Sequence, residues 1–250
     1  MSTRIEVFDD ADALARAVSG ELLSQLERAQ ADGATPQIAL TGGSVAERVH
    51  AALGAAGPGS DVDWTRVVVW WGDERFVAPD SDERNALDAR RSFLDRVGVP
   101  DDQVHEAPAT DSAGSVAEAA AAYSRTLRAH GSGAFEVLML GLGPDGHCAS
   151  LFPGHPALDV DDQVAVAVTD SPKPPPERVS LTFGALNRSR AIWFVASGEE
   201  KAEAVARALA DDGDLHDTPA RGVTGLPDVD GSGFPTEVVW FLDRPAASRL

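Results

Sequence analysis

The chain has 250 residues, 43% of them hydrophobic, with 21 Lys and Arg against 40 Asp and Glu, a formal net charge of −19 at pH 7. Such a chain can bury a sizeable core, but so acidic a surface repels nucleic-acid phosphates and anionic lipids, setting nucleic acid and membranes aside as partners and requiring any phosphate site to be a local positive pocket. Cys148 is the only cysteine, which rules out an intrachain disulfide and a Cys-rich metal site, and no apolar run approaches the roughly 18 residues of a membrane span.

Ile5 to Phe8 reads as a first strand. Asp9 or Asp10 can cap the next helix, whose Leu14, Ala17, Val18, Leu22 and Leu26 fall at helical spacing and which Gly33 ends. Ile38–Leu40 is a second strand, closed by Thr41-Gly42-Gly43-Ser44. Ser44-Val45-Ala46-Glu47 then reads as a capping box, with Val49 and Leu53 on the apolar face of its helix. Val67–Trp71 is a third strand, continuous enough to be buried on both faces, and it runs into Gly72-Asp73-Glu74-Arg75-Phe76. A helix is expected from about Glu83 to Val97. Ser115 and Glu118 form a second capping box for a helix reaching about His130. Val137–Leu140, Val164–Val168, Ala191–Ala196 and Val238–Leu242 read as further strands. Asp170 to Arg178 is a rigid, proline-rich loop, Gly198-Glu199-Glu200-Lys201 opens a helix, and Asp211 to Gly233 reads as a surface loop.

Strands alternating with helices predict an α/β fold, a mainly parallel sheet covered by helices on both faces. No composition break or repeat marks a second unit, so one domain over residues 1–250 is expected. The N-terminus lacks the basic start and long apolar stretch of a signal peptide, so a cytoplasmic protein is expected.

The most informative segment is Val137-Leu138-Met139-Leu140-Gly141-Leu142-Gly143-Pro144-Asp145-Gly146-His147. A buried strand empties into a glycine-rich turn that delivers one histidine, the side chain best suited to proton transfer near neutral pH. Residues 141–146 also spell G-x-G-x-x-G, but Pro153 and Gly154 leave no room for the helix a dinucleotide site requires. In a parallel sheet the ends at Thr41–Ser44, Gly72–Arg75, Gly141–His147 and Ser197–Lys201 gather on one edge, where ligands of open α/β sheets sit. Thr41, Gly42, Gly43 and Ser44 offer N–H groups at a helix N-terminus, and Arg178 and Lys201 add positive charge, an arrangement suited to phosphate. The plainer reading is that Ser44 only caps its helix and Lys201 is solvated. Asp73, Glu74 and Arg75 follow a buried strand, either as a structural ion-pair network or with Arg75 facing a substrate and Asp73 orienting it. His50 and His130 read as helix-surface residues, and Cys148 as a small buried hydrophobe. There is no G-x-S-x-G elbow, no H-E-x-x-H and no P-loop.

These pieces together resemble the 6-phosphogluconolactonase family: Leu40–Ser44, Trp71–Val77, the long block from Gly141 to Gly154, Arg178–Thr182 and Gly198–Lys201. The resemblance spans about residues 5 to 243. It implies a modified Rossmann-like fold related to glucosamine-6-phosphate deaminase and ribose-5-phosphate isomerase. It also implies hydrolysis of 6-phosphoglucono-δ-lactone to 6-phosphogluconate in the oxidative pentose phosphate pathway, without metal or cofactor. Position by position, His147 resembles the family's general base, carried on the loop of Gly143, Asp145 and Gly146. Asp73 and Arg75 match its Asp-Glu-Arg, and Gly43, Ser44, Arg178 and Lys201 match phosphate-site positions. One departure is Arg84-Asn85, where the family often has Ser-Asn. The rival deaminase branch typically carries Phe-Asn-Glu-Pro after the histidine block, whereas this chain has Ser150-Leu151-Phe152-Pro153 without that glutamate. A non-catalytic phosphosugar-binding protein is the other alternative. The expected protein is thus a monomer or weak homodimer acting on a small phosphosugar lactone. The phosphate is expected at the helix N-termini after Ser44 and Gly198.

Overall fold

The computed structural model describes residues 3–229, 231, 233 and 235–250. The chain runs β1 (Thr3–Phe8), α1 (Ala11–Ala31), β2 (Gln37–Leu40), α2 (Ser44–Ala56), β3 (Val68–Trp71), β4 (Asp73–Arg75), α3 (Asn85–Ala89), α4 (Asp95–Val97), α5 (Val116–His130), β5 (Phe135–Gly141), β6 (Ala165–Val168), β7 (Arg178–Leu181), α6 (Phe183–Leu186), β8 (Ser189–Ala196), α7 (Ala202–Leu209) and β9 (Glu237–Asp243). Short 3₁₀ turns lie between several of these. Six strands form a wholly parallel sheet in the order β1-β9-β8-β5-β2-β3. A second sheet, antiparallel, has the order β4-β7-β6.

Alternation along the strands of the large sheet feeds two cores. On one face Ile38, Leu40, Val69, Trp71, Val137, Met139 and Trp193 pack with Leu14, Leu22 and Leu26 of α1 and with Val49 and Leu53 of α2. On the other, Ala39, Trp70, Leu138, Leu140, Ile192 and Phe194 pack with Ala119, Ala120 and Tyr123 of α5 and Val205 of α7. These strands therefore read as nearly unbroken apolar runs. Among the described residues no helix is long and apolar enough to cross a membrane.

The caps explain where the helices start. The Asp10 carboxylate accepts the Ala13 N–H at 2.7 Å, and the Ser115 hydroxyl accepts the Glu118 N–H at 3.2 Å. The box expected at Ser44 does not form. Gly43 is the N-cap, at φ 96°, with no side-chain cap bond, because its left-handed backbone turns the chain one residue earlier and Ser44 is already helical. The expected helix from Glu83 to Val97 begins at Asn85 and passes through a π-helical turn at Arg90–Leu94. Of the small sheet the sequence reading found β6 alone, as Val164–Val168, and not β4, β7 or their pairing. Its strand β4 is the charged Asp73-Glu74-Arg75, and β7 emerges from the end of the proline-rich loop.

Candidate active site

In the large sheet β2 leads on to β3 on one side, whereas β5 leads on to β8 on the other. The chain departs in opposite directions from these neighbouring strands, which opens a crevice beyond their carboxyl ends. There the Gly141 N–H donates to Thr41 Oγ1 at 3.3 Å, tying the two loops together. A cavity of about 250 Å³ opens at this point. Thr41, Gly42 and Gly43 line it from the loop after β2, and Gly143 and His147 from the loop after β5. Asp73, Arg75 and Asn85 close another side, and Lys173, Arg178 and Lys201 a third.

The histidine turn is rigid. Gly143 N–H donates to the His147 carbonyl at 2.8 Å, and Gly146 N–H to the Gly143 carbonyl at 2.9 Å. His147 Nδ1 lies 2.5 Å from Asp145 Oδ1, and the imidazole is 15% exposed, against the Phe152 ring at 4.6 Å. A Cβ on Gly143 would stand 2.0 Å from His147 Nδ1, so only glycine lets the ring lie over that backbone. A carboxylate facing Nδ1 selects the tautomer with its hydrogen there, leaving the Nε2 lone pair as the acceptor. Burial alone raises the Asp145 carboxyl, but the hydrogen bond and charge of His147 outweigh it and hold the value down to about 2.

The Asp73-Glu74-Arg75 strand is not an ion-pair network among its own residues; Arg75 lines the cavity, while Asp73 is held to Ser150 and not to Arg75. The Asp73 carboxylate accepts the buried Ser150 hydroxyl at 2.6 Å. Glu74 is buried and accepts three backbone N–H groups, those of Arg75, Asn85 and Ala86, at 2.8–2.9 Å. Burial raises its carboxyl, opposed by Arg84, whose guanidinium lies 3.9 Å away and donates to the Ala107 carbonyl at 2.8 Å. Glu74 thus pairs with Arg84, and not with its sequence neighbours. Arg75 donates to the Glu83 carbonyl at 3.0 Å and to the Asn85 side-chain oxygen, while its Nε is buried without a partner. Asn85 also donates to the Asp73 carbonyl at 3.0 Å, so the residue after the departing Arg84 is a cavity residue.

The cations come from the small sheet and the proline-rich loop. Arg75 of β4 lies directly opposite Arg178 of β7 in the ladder. The Arg178 guanidinium donates to the carbonyls of Lys173, Pro174 and Pro175 at 3.1–3.2 Å, which fixes the loop bearing Lys173. Burial and the like charge of Lys173 lower the Lys201 ammonium, opposed by Glu200 and Asp145. The reading of the sequence passed over Lys173. Its signal was a lone cation held among prolines in a chain poor in basic residues. Ser44 is exposed and outside the cavity lining. The Gly198 N–H does not await an anion either, since it donates to the Asp243 carboxylate at 3.1 Å, as does the Ser197 hydroxyl at 2.6 Å. Gly146 is buried behind the turn, where its carbonyl accepts the Ala220 N–H at 3.0 Å.

Other candidates fall away from this crevice. His50 is 1% exposed and sits 2.9 Å from the Asp88 carboxylate, so it is a buried paired residue and not a surface one. α2 packs against the turn that follows α3, which covers its ring. His130 is exposed as expected. Burial pushes the Cys148 thiol well above its ordinary range, which makes it inert. A larger cavity of about 400 Å³ opens at the opposite edge, by Gln37, Arg128, Phe135, Asp161 and Arg188, but it lies at the amino ends of β2 and β5, away from His147 and the clustered cations. Among the described residues no group of three His, Cys, Asp or Glu side chains is arranged to hold a metal ion.

A parallel sheet with a basic, anion-sized crevice at its switch point is the architecture of α/β proteins that bind small metabolites. Residues 9–230 match the family model for glucosamine-6-phosphate isomerases/6-phosphogluconolactonase. The 6-phosphogluconolactonase of Mycobacterium tuberculosis is 40% identical over 257 residues, covering 100% of this chain and 99% of that one. The human 6-phosphogluconolactonase is 36% identical over 260 residues, covering 98% and 93%. The solved structure of 6-phosphogluconolactonase from Trypanosoma brucei superimposes with a TM-score of 0.82 at 26% identity, covering 100% and 99%. The chain belongs to the glucosamine-6-phosphate isomerase/6-phosphogluconolactonase family.

Proposed function

We infer that this chain hydrolyses 6-phospho-D-glucono-1,5-lactone to 6-phospho-D-gluconate. Full-length relatives bearing that name support the substrate and reaction. The observation that carries the mechanism is the His147–Asp145 contact inside a cavity that also holds Lys173, Lys201, Arg75 and Arg178. The 6-phosphate binds by Lys201 and Lys173, beside the Thr41-Gly42-Gly43 loop at the start of α2. The lactone carbonyl then lies toward His147. Nε2 takes a proton from water as its oxygen bonds to C1. Asp145 holds the ring and stabilises the imidazolium. Arg75, whose side chain lines the cavity, stabilises the developing oxyanion. As the tetrahedral intermediate collapses, the bond from C1 to the ring oxygen breaks and the imidazolium returns its proton to that oxygen. Asp73 and Asn85 position this wall through Ser150 and Arg75. We propose that it works without nucleic-acid or membrane partners, on the strength of its net charge of −19.

The test is lactone consumption by purified protein, followed fast enough to exceed spontaneous hydrolysis, with ammonia release from glucosamine 6-phosphate measured in parallel. Lactone decay well above background with no ammonia is expected. Ammonia release would move the chain to the deaminase branch, and tight binding of 6-phosphogluconate with background decay would make it a binding protein.

A further inference from the structure

The two ends of the large sheet differ. Beyond β3 an isolated bridge pairs Val69 with Val104. Among the described residues β1, at the other end, is bonded only to β9. The Phe8 carbonyl accepts the Arg244 N–H at 2.9 Å, so Phe8 faces β9. In a parallel ladder alternate residues face the same neighbour, so Arg4 and Glu6 also turn their backbone groups inward. Thr3, Ile5 and Val7 therefore turn theirs outward along the sheet edge. The side chains of Ile5 and Val7 are 45% and 50% exposed, which is unusual for large apolar residues in this chain. Their register partners on β9 are Trp240 and Leu242, both buried in one of the two cores. An apolar stripe thus runs off the end of the sheet beside a row of open backbone donors and acceptors, the pattern that natural edges normally block.

The geometry points to a second copy of this chain as the occupant, paired antiparallel through β1 about a two-fold axis at Ile5. Arg4 and Glu6 touch each other on one face of β1, with Glu237 3.3 Å from Arg4, and the order of these exposed charges selects that register by letting each exchange its partner for the opposite one across the axis. With Ile5 opposite Ile5 of the second copy, Arg4 lies opposite Glu6 and Glu6 opposite Arg4. Thr3 and Val7 then face each other as hydrogen-bonded pairs. The two ion pairs occupy the non-hydrogen-bonded positions, where Cα atoms are only about 4.5 Å apart and side chains meet most closely. Sliding by two residues, the smallest step that keeps outward groups facing outward, sets Arg4 against Arg4 in one direction. In the other it sets Glu6 against Glu6. The strand is self-complementary in one register and repulsive in its neighbours, as an isologous interface requires. Pairing makes a continuous sheet of twelve strands from two of six. A single strand edge buries less than the roughly 1,200 Å² of a standard interface, and each copy carries a charge of −19, so the dimer is weak and forms only at high protein concentration.

Sedimentation velocity over about 10 µM to 1 mM protein, a range that brackets dissociation constants of weak complexes, tests this. The sedimentation coefficient should rise toward that of a dimer. Glu6→Arg sets like charges opposite each other and should weaken association at least fivefold, and Arg4→Glu combined with Glu6→Arg should restore it. Ile5→Pro removes only an outward N–H, which an edge strand tolerates, and should leave a folded monomer with unchanged lactone turnover. A chain that stays monomeric to the top concentration overturns the proposal. So does a dimer indifferent to Glu6→Arg and Ile5→Pro, or one that the charge exchange fails to restore.

Discussion

With Asp145 against Nδ1, the His147 ring, which lines the cavity, is held in one orientation and one tautomer. The carboxyl must stay ionised for this. Burial works against that, but the imidazole's hydrogen bond and charge prevail and hold it near about 2. The folded value lies below the ordinary carboxylate value, so the pairing stabilises the fold above about pH 4 and that stabilisation fades as pH falls through about 2. An NMR titration of the Asp145 carboxyl should therefore show it ionised throughout the working range of the enzyme; an ordinary value near 4 would mean the contact is not formed in solution. Asp145→Asn keeps the shape but lets Nδ1 lose its hydrogen to the wrong nitrogen. It should lower kcat by roughly 10²–10⁴ with KM nearly unchanged. A rise in KM alone would make Asp145 a binding residue.

At the scale of elements, the start of α3 depends on a residue from another strand. Arg84 is its N-cap and makes no side-chain cap bond. The Glu74 carboxylate of β4 takes over, accepting the N–H groups of Asn85 and Ala86, the first two helical residues. The same carboxylate faces the buried Arg84. Glu74→Ala removes the cap of α3 and one of the two carboxylates near the buried Arg84, the other being Glu106 at 3.3 Å, so it should destabilise the fold by about 2–4 kcal/mol in urea denaturation, mainly through the buried N–H groups it leaves unpaired. A change below about 0.5 kcal/mol, ordinary for an exposed site, would contradict this. This cap also marks the limit of what the sequence discloses. Helices α1 and α5 and strands β2, β3, β5, β8 and β9 announce themselves, because apolar periodicity and local caps act within one element. In the small sheet β6 does, as Val164–Val168, but β4 and β7 do not. β4 pairs with β7 across about a hundred residues of chain, both strands are short, and β4 is three charged residues, so nothing local reads as strand. Because that sheet carries Arg75 and Arg178, the sequence named both arginines without revealing that they stand side by side. His50 was misjudged for the same reason, since the element that covers it lies some forty residues downstream. Lys173 was hidden because its position follows from Arg178 gripping the loop carbonyls around it.

The whole molecule is strongly negative, yet the crevice gathers Lys173, Lys201, Arg75 and Arg178 at one edge of the sheet. Burial and mutual repulsion lower the Lys201 ammonium, a penalty that the proposed phosphate dianion between the two lysines would relieve. Lys201→Ala should therefore raise KM for 6-phosphogluconolactone roughly ten- to hundredfold, the worth of a charge-assisted contact. Turnover of unphosphorylated glucono-lactone should hardly change; equal damage to both substrates would remove the phosphate contact from the account. In the proposed mechanism a single imidazole, poised by a carboxylate beside this cradle, performs the proton transfer. The most direct measurement is kcat of His147→Ala on 6-phosphogluconolactone, corrected for spontaneous hydrolysis. A fall of roughly 10²–10⁴ is expected, and an unchanged kcat in a folded variant would contradict it.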